Sequence, residues 1–198
     1  MRRLAIVAAA CAAGLLVAAQ LALPPLASHR AEDRLTKEGG TAEVKVRAFP
    51  AVRLLFKEGD LLRVRARGIE LPVAGPGERV LSDLDGFDDV DIRVADARTG
   101  PFDLTAVTLE RRGGDAPYTT TARGTATPRE LGTFFGGFLG GLAGAALPGG
   151  DAPLPIDLRA TVRSDSGRPR AIAVQGSVAG VPAGPLAEAL AQALAGGL

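Results

Sequence analysis

Reactive side chains are scarce in this chain of 198 residues, which contains one cysteine, one histidine, one tyrosine and no tryptophan. Cys11 and His29 both precede residue 31, so the rest of the chain has neither a thiol nor an imidazole. That absence excludes a disulfide framework, a catalytic pair based on cysteine or histidine and a zinc site there. No pair of carboxylates stands out among the many acidic residues either. We therefore predict a protein without enzymatic activity and without a cofactor.

A dominant charge is also missing. Three of the 23 basic residues precede residue 31, which leaves 20 basic and 22 acidic side chains in the remainder. Nucleic acid calls for a basic surface, so we predict no nucleic-acid partner. Aspartates between residues 83 and 91 have the alternating spacing of a cation loop, but the terminal glutamate of an EF-hand is lacking. We interpret them as a solvated turn and the outer face of a strand, and predict no metal site.

The start of the chain has the pattern of a membrane segment. Two arginines precede an uncharged run, 4–26, whose length matches the roughly 20 residues that cross a bilayer as a helix. Pro24 and Pro25 are expected to end that helix. We predict a signal-anchor or transmembrane helix at 1–26, with a cytoplasmic N-terminus and a C-terminal domain outside the cytoplasm. If the segment is instead a cleaved signal, the domain is secreted.

The rest of the chain is predicted to form one domain rich in strands. Residues 27–41 indicate a charged juxtamembrane linker with a short helix at 31–38, and the domain itself is expected at 42–198. Apolar and polar residues alternate with the period of a half-buried strand. The strands are expected at 43–48, 62–71, 89–95, 102–109, 118–127, 156–163 and 170–179. A small leucine-faced helix is expected from Pro185 onward.

One segment, 131–147, has no charge and combines phenylalanines with glycines at four-residue spacing. Glycine costs about 1 kcal/mol relative to alanine in a helix interior, so a helix here needs support from its surroundings. Three interpretations stay open. The segment is a core helix packed on a sheet, a lid over an apolar cavity or an element that dips into lipid, or a second membrane span.

Two stretches together resemble a known family. Residues 42–50 (AEVKVRAFP) are followed by 62–69 (LRVRARGI), and a third alternating stretch follows at 90–94 (VDIRV). This order is similar to the opening of the LmeA-like phospholipid-binding proteins of actinobacterial cell envelopes, over roughly residues 1–135. The chain departs from that pattern at Ala48, where the family usually has glycine, and at Ala51, where it usually has phenylalanine.

The resemblance implies an α+β fold in which a curved antiparallel β-sheet wraps around or packs on helices, similar to tubular lipid-binding modules. It also implies a membrane-anchored, extracytoplasmic (periplasmic) protein that binds a phospholipid or another acyl-chain ligand and supports cell-envelope lipid or lipoglycan biogenesis. The residues predicted to line its apolar groove are Phe49, Pro50, Phe134, Phe135 and Phe138.

A different class of function is the alternative. The domain is then a non-catalytic scaffold that binds an envelope protein partner, with no lipid inside. Such a scaffold is expected to have a filled core and to show an exposed apolar patch or a free strand edge.

Overall fold

The computed structural model describes residues 23–33, 35–36, 39–71, 79, 81–100, 102–129, 152–178 and 181–182. These residues form an eight-stranded open sheet in which the strands lie side by side in chain order. The strands are β1 (Thr41–Arg47), β2 (Gly59–Arg67), β3 (Phe87–Thr99), β4 (Phe102–Arg112), β5 (Tyr118–Ala126), β6 (Leu154–Asp165), β7 (Arg168–Val178) and β8 (Val181–Pro182). Neighbouring strands are antiparallel except β2 and β3, which are parallel.

The seven predicted strands are confirmed, with shifted ends. β2 stops at Arg67, because Gly68 takes a left-handed backbone conformation with φ of 66° and leaves the strand. β3 continues to Thr99, beyond its predicted end. Within it, Asp96 has a φ of 52°, which marks an irregularity in the strand. The neighbouring strand β4 has a register shift at the same level of the sheet, between Leu104 and Ala106. Such bulges bend the strands that carry them, as a curved sheet requires. The predicted antiparallel sheet is thus present, except that β2 and β3 pair in parallel.

The two faces of the sheet differ in the polarity of their side chains. Successive side chains of a strand point to opposite faces, so alternation in sequence becomes separation in space. One face, called the inner face below, is buried across β1 to β6 and mostly apolar, with Thr99, Arg111 and Thr120 as its buried polar residues. Its apolar strand residues include Val44, Val64, Ala66, Val90, Ile92, Val94, Ala97, Leu104, Val107, Leu109, Ala122, Ile156, Leu158, Ala160 and Val162.

A helix, α1, precedes the sheet and covers its first edge. It is described at 23–33 and 35, so Pro24 and Pro25 lie in helical backbone. The membrane helix that is predicted to end at these prolines lies almost entirely outside the described residues. Proline clashes with the turn before it and does not stop a helix from continuing toward the C-terminus. Ala31 and Leu35 of α1 pack against the core, and a carboxylate oxygen of Glu32 accepts a hydrogen bond from the Val44 backbone N–H at 2.8 Å.

The remaining predicted helices fall largely outside the described residues. Residues 1–22 of the predicted membrane segment, the segment 131–147 and the C-terminal helix are in that part of the chain. Within the described ranges, no helix is long and apolar enough to cross a membrane. Helical backbone is described at 128–129, just before the segment 131–147.

Candidate functional site

The predicted groove residues divide into two groups. Phe49 and Pro50 lie just after β1, and both are exposed; the Phe49 residue is 76% exposed. The structure therefore places Phe49 in solvent, at the end of the sheet where β1 stops and β2 and β3 begin. Phe134, Phe135 and Phe138 lie outside the described residues, so the prediction that they line a groove stays a prediction.

Phe49 belongs to a cluster of exposed apolar side chains. After Pro50 the chain forms a 3₁₀ helix, η1 (Ala51–Phe56), in which Leu55 and Phe56 are 67% and 73% exposed. Phe49, Leu55 and Phe56 together are called the apolar turn below, and the end of the sheet that carries them is the η1 end. Isolated exposed apolar residues are common on protein surfaces, but three large ones so close together in the chain form a patch.

Backbone hydrogen bonds hold the apolar turn in place. The Arg53 N–H donates to the Pro50 carbonyl, and the Lys57 N–H donates to the Leu54 carbonyl, both at 3.1 Å. Because a 3₁₀ helix has three residues per turn, Ala51 and Leu54 share the side that faces the protein. Ala51 is buried and Leu54 packs on the core, so the neighbouring Leu55 and Phe56 are directed outward.

A loop covers the inner face at the η1 end. Residues 81–86, called the end loop below, lie between β2 and the β6–β7 turn. At one side Lys57 pairs with Asp83, and at the other the Leu81 N–H donates to the Gly167 carbonyl at 3.0 Å. Leu81 is completely buried. A Cβ at Gly86 would overlap the Lys57 carbonyl oxygen, so glycine allows the loop to approach this closely.

A buried polar cluster fastens the end loop to β4, β5 and β6. The Arg111 guanidinium donates to the backbone carbonyls of Leu84, Asp85 and Phe87 and lies 3.5 Å from an Asp85 carboxylate oxygen. Its central carbon is 4.5 Å from the centre of the Tyr118 ring. Tyr118 and Ser164 both donate hydrogen bonds to Asp85. Because Arg111, Tyr118 and Ser164 all bond to the end loop, we interpret the cluster as structural.

The same cluster perturbs the only tyrosine of the chain. Burial raises the pKa of Tyr118 far above its ordinary value; the Arg111 charge opposes this shift, and the Asp85 carboxylate adds to it. Because the pKa of Tyr118 is higher in the folded state than in the unfolded state, its neutral form contributes to the free energy of unfolding. This contribution to stability is fully present at any pH below the ordinary pKa of about 10. That stability is lost as the pH rises toward the folded-state value.

We therefore expect the folded protein to resist tyrosinate formation. An alkaline titration followed by tyrosinate absorbance should show no change near the ordinary tyrosine pKa, and a signal should appear only when the sheet unfolds. In urea the same chain should titrate as exposed tyrosine does, at a pH of about 10. Because the chain has one tyrosine, the absorbance reports Tyr118 alone. Ionisation of folded protein near the ordinary value would contradict this account of the cluster.

The outer face of the sheet carries charges of both signs in pairs. Asp91 pairs with both Arg63 and Arg93, and Arg93 pairs also with Glu110, at distances of 2.9–3.2 Å. Farther along the sheet, Arg123 pairs with Asp157 at 3.2 Å. Exposed pairs of this kind contribute little stability, about 0–1 kcal/mol each. They make the outer face strongly hydrated, which does not suit an acyl chain.

An open cavity of about 410 Å³ lies at the end of the sheet opposite the η1 end. Its lining combines apolar Ile69 and Leu104 with charged Glu70, Arg98 and Asp103. Arg98 and Asp103 pair across it at 2.9 Å. The mixed lining and the internal ion pair make this cavity a poor match for an apolar ligand.

Two features of this part of the molecule are missed by sequence reasoning. The run 51–57 reads only as an apolar connector, and composition does not tell whether its side chains are buried or exposed. The second feature, the burial of the Arg111 side chain, could have been predicted from the alternation of residues in β4. Val107, Leu109 and Arg111 share one parity in β4, which places the arginine on the buried face.

A comparison of the chain with models of protein families, with curated proteins and with solved structures finds no match.

Proposed function

We propose that this chain is a membrane-anchored extracytoplasmic protein that binds phospholipid acyl chains in an apolar groove and serves cell-envelope lipid or lipoglycan biogenesis. The observation that carries the proposal is the inner face. It is mostly apolar across six adjacent strands, β1 to β6, while the opposite face is charged. The resemblance to LmeA-like proteins points in the same direction.

The chemistry of the inner face suits an acyl chain. Each CH₂ group removed from water contributes about 0.8 kcal/mol, so a long chain can bind without polar recognition. Some described core residues lie outside the strands and pack on the sheet, and all of them precede β3 in sequence. They are Ala31, Leu35, Leu54, Ile69, Leu71, Leu81 and Leu84. In the proposal the acyl chain lies along the inner face of the later strands, with Phe134, Phe135 and Phe138 on the opposite wall.

The test is a search for bound lipid in residues 23–198, a fragment that begins at residue 23 so that the described part of α1 stays intact. The fragment is purified without detergent, and native mass spectrometry is combined with solvent extraction. We expect one phospholipid per chain at defined stoichiometry. A lipid-free mass that persists after incubation with phospholipid vesicles would overturn the proposal.

A matched pair of variants locates the ligand. Ala160 lies on the inner face of β6 and is buried, whereas Ala106 lies on the outer face of β4 and is exposed. Ala160→Leu narrows the groove and should reduce the lipid-bound fraction, while Ala106→Leu should leave it unchanged. Circular dichroism of both variants checks that the sheet is intact.

The apolar turn favours a second candidate, the scaffold domain. That hypothesis expects an exposed apolar patch, and Phe49, Leu55 and Phe56 form one. In this case the fragment should stay free of lipid, and a protein partner should crosslink to the η1 end at defined stoichiometry.

A further inference from the structure

We propose that the apolar turn is a bilayer-docking surface, which holds the η1 end of the sheet against the same lipid surface from which the N-terminal apolar run emerges. This inference rests on the membrane attachment in the proposed function. It does not require a lipid on the inner face, so the two can fail separately.

The exposed apolar side chains are concentrated at one end of the molecule. The described residues leave five large apolar side chains more than half exposed: Leu26, Phe49, Leu55, Phe56 and Ile172. Three of them are the apolar turn itself. A fourth, Leu26, lies near the beginning of the described part of α1, so its position depends on the direction of that helix.

The connection between α1 and β1 sets this direction. The Gly39 N–H donates to the Thr36 carbonyl at 3.0 Å, so the chain turns compactly between α1 and β1. Glu32 precedes this turn and Val44 follows it, and the two residues are in contact across it. We infer from that contact that α1 folds back along β1 in the antiparallel direction.

The antiparallel run brings the start of α1 to the η1 end. From Glu32 back to residue 23 the helix rises about 1.5 Å per residue, roughly 13 Å in all. From Val44 to Phe49 an extended chain advances about 3.3 Å per residue, roughly 16 Å. Residue 23 therefore lies close to the level of Phe49. The uncharged run 4–22 is joined to the domain at this point, beside the apolar turn and Leu26.

Charge indicates which lipid surface fits. Around the apolar turn, Arg53 pairs with Glu58 and Asp60, and Lys57 pairs with Asp83. These ion pairs leave little net charge for an anionic surface to attract, so contact with the bilayer depends on apolar insertion. Attachment through the N-terminal run makes the contact intramolecular, and a weak intrinsic affinity is then sufficient.

The experiment uses tryptophan as a depth probe in the full chain, which has no tryptophan of its own. Phe56→Trp places the probe in the apolar turn, and Thr41→Trp places it at the exposed far end of β1, about 20 Å away by strand length. Each variant is reconstituted into phosphatidylcholine vesicles, with and without brominated acyl chains. The probe in the apolar turn should lose most of its fluorescence in brominated vesicles, and the probe at the far end of β1 should lose little. Leu55→Trp repeats the test at a second position.

Each other outcome overturns the inference. Red-shifted, unquenched emission from the Phe56→Trp variant would place the turn in water. Blue-shifted but unquenched emission would mean that protein, such as a partner or a second copy, covers it. Equal quenching in the two variants would mean that the domain lies flat on the bilayer. Adding Ala160→Leu to Phe56→Trp separates docking from lipid in the groove, because docking predicts that the quenching stays unchanged.

Discussion

Replacement of Arg111 by methionine should lower the free energy of unfolding by about 3–5 kcal/mol, because several buried carbonyl groups lose their hydrogen-bond donor at about 1–3 kcal/mol each. Arg111 is only 4% exposed, and its guanidinium satisfies three backbone carbonyls of 84–87 as well as Asp85. Methionine keeps much of the apolar bulk but donates no hydrogen bond. The variant therefore leaves three backbone carbonyl groups without their buried donor. It also removes the cation beside Asp85, which keeps its hydrogen bonds from Tyr118 and Ser164.

Urea unfolding of the full chain measures this effect, with Arg93→Met as the control. Arg93 also pairs with two carboxylates, but its side chain is 51% exposed. Loss of exposed pairs should change the stability by no more than about 1 kcal/mol. Equal urea midpoints of unfolding for the two variants would contradict the conclusion that Arg111 stabilises the end loop.

Truncation of Leu81 to alanine is the second large effect that we expect, about 2–5 kcal/mol. Leu81 is completely buried although it lies in a loop, and it belongs to the same apolar core as the strands. Truncating its side chain loses burial and leaves a cavity under the end loop. The cost depends on how far the loop can collapse onto the inner face.

Leu55→Ala is the matched control, because it makes the same chemical change in a residue that is 67% exposed. It should alter the unfolding midpoint by much less than Leu81→Ala does. If the two variants had equal stability, the end loop would not be part of the core. Hydrogen exchange adds a local readout, since the Leu81 amide should lose protection first in the weakened variant.

The sheet could be predicted from sequence because one of its faces contacts the apolar core and the other contacts water. Val90, Ile92 and Val94 must avoid water and the polar residues between them must reach it, so the alternation appears directly in the chain. The two-residue strand β8 is too short to show a period. The parallel pairing of β2 with β3 has no local signal either, because it depends on the path of the chain between them.

The candidate surfaces could be predicted only in part. The pattern around Phe49 marks it as a prominent residue, but its exposure depends on how η1 packs. In η1 only Ala51 is buried. The sequence of this short 3₁₀ helix has no alternation of apolar and polar residues that would predict which side faces the core. The Arg111 cluster joins residues that are far apart in sequence, Asp85, Tyr118 and Ser164, so their contact is a property of the sheet register.

Because β2 and β3 pair in parallel and not as a hairpin, we expect the sheet to form in two parts during synthesis. β1 and β2 can pair as soon as both have been synthesised, because only η1 separates them. The second edge of β2 then stays unpaired until β3 has been synthesised. The unpaired N–H and C=O groups of such an edge can pair with a strand of another chain. Arg63, Arg65 and Arg67 repeat along β2. We expect the repulsion between these arginines to disfavour pairing of two copies through that edge before β3 has been synthesised.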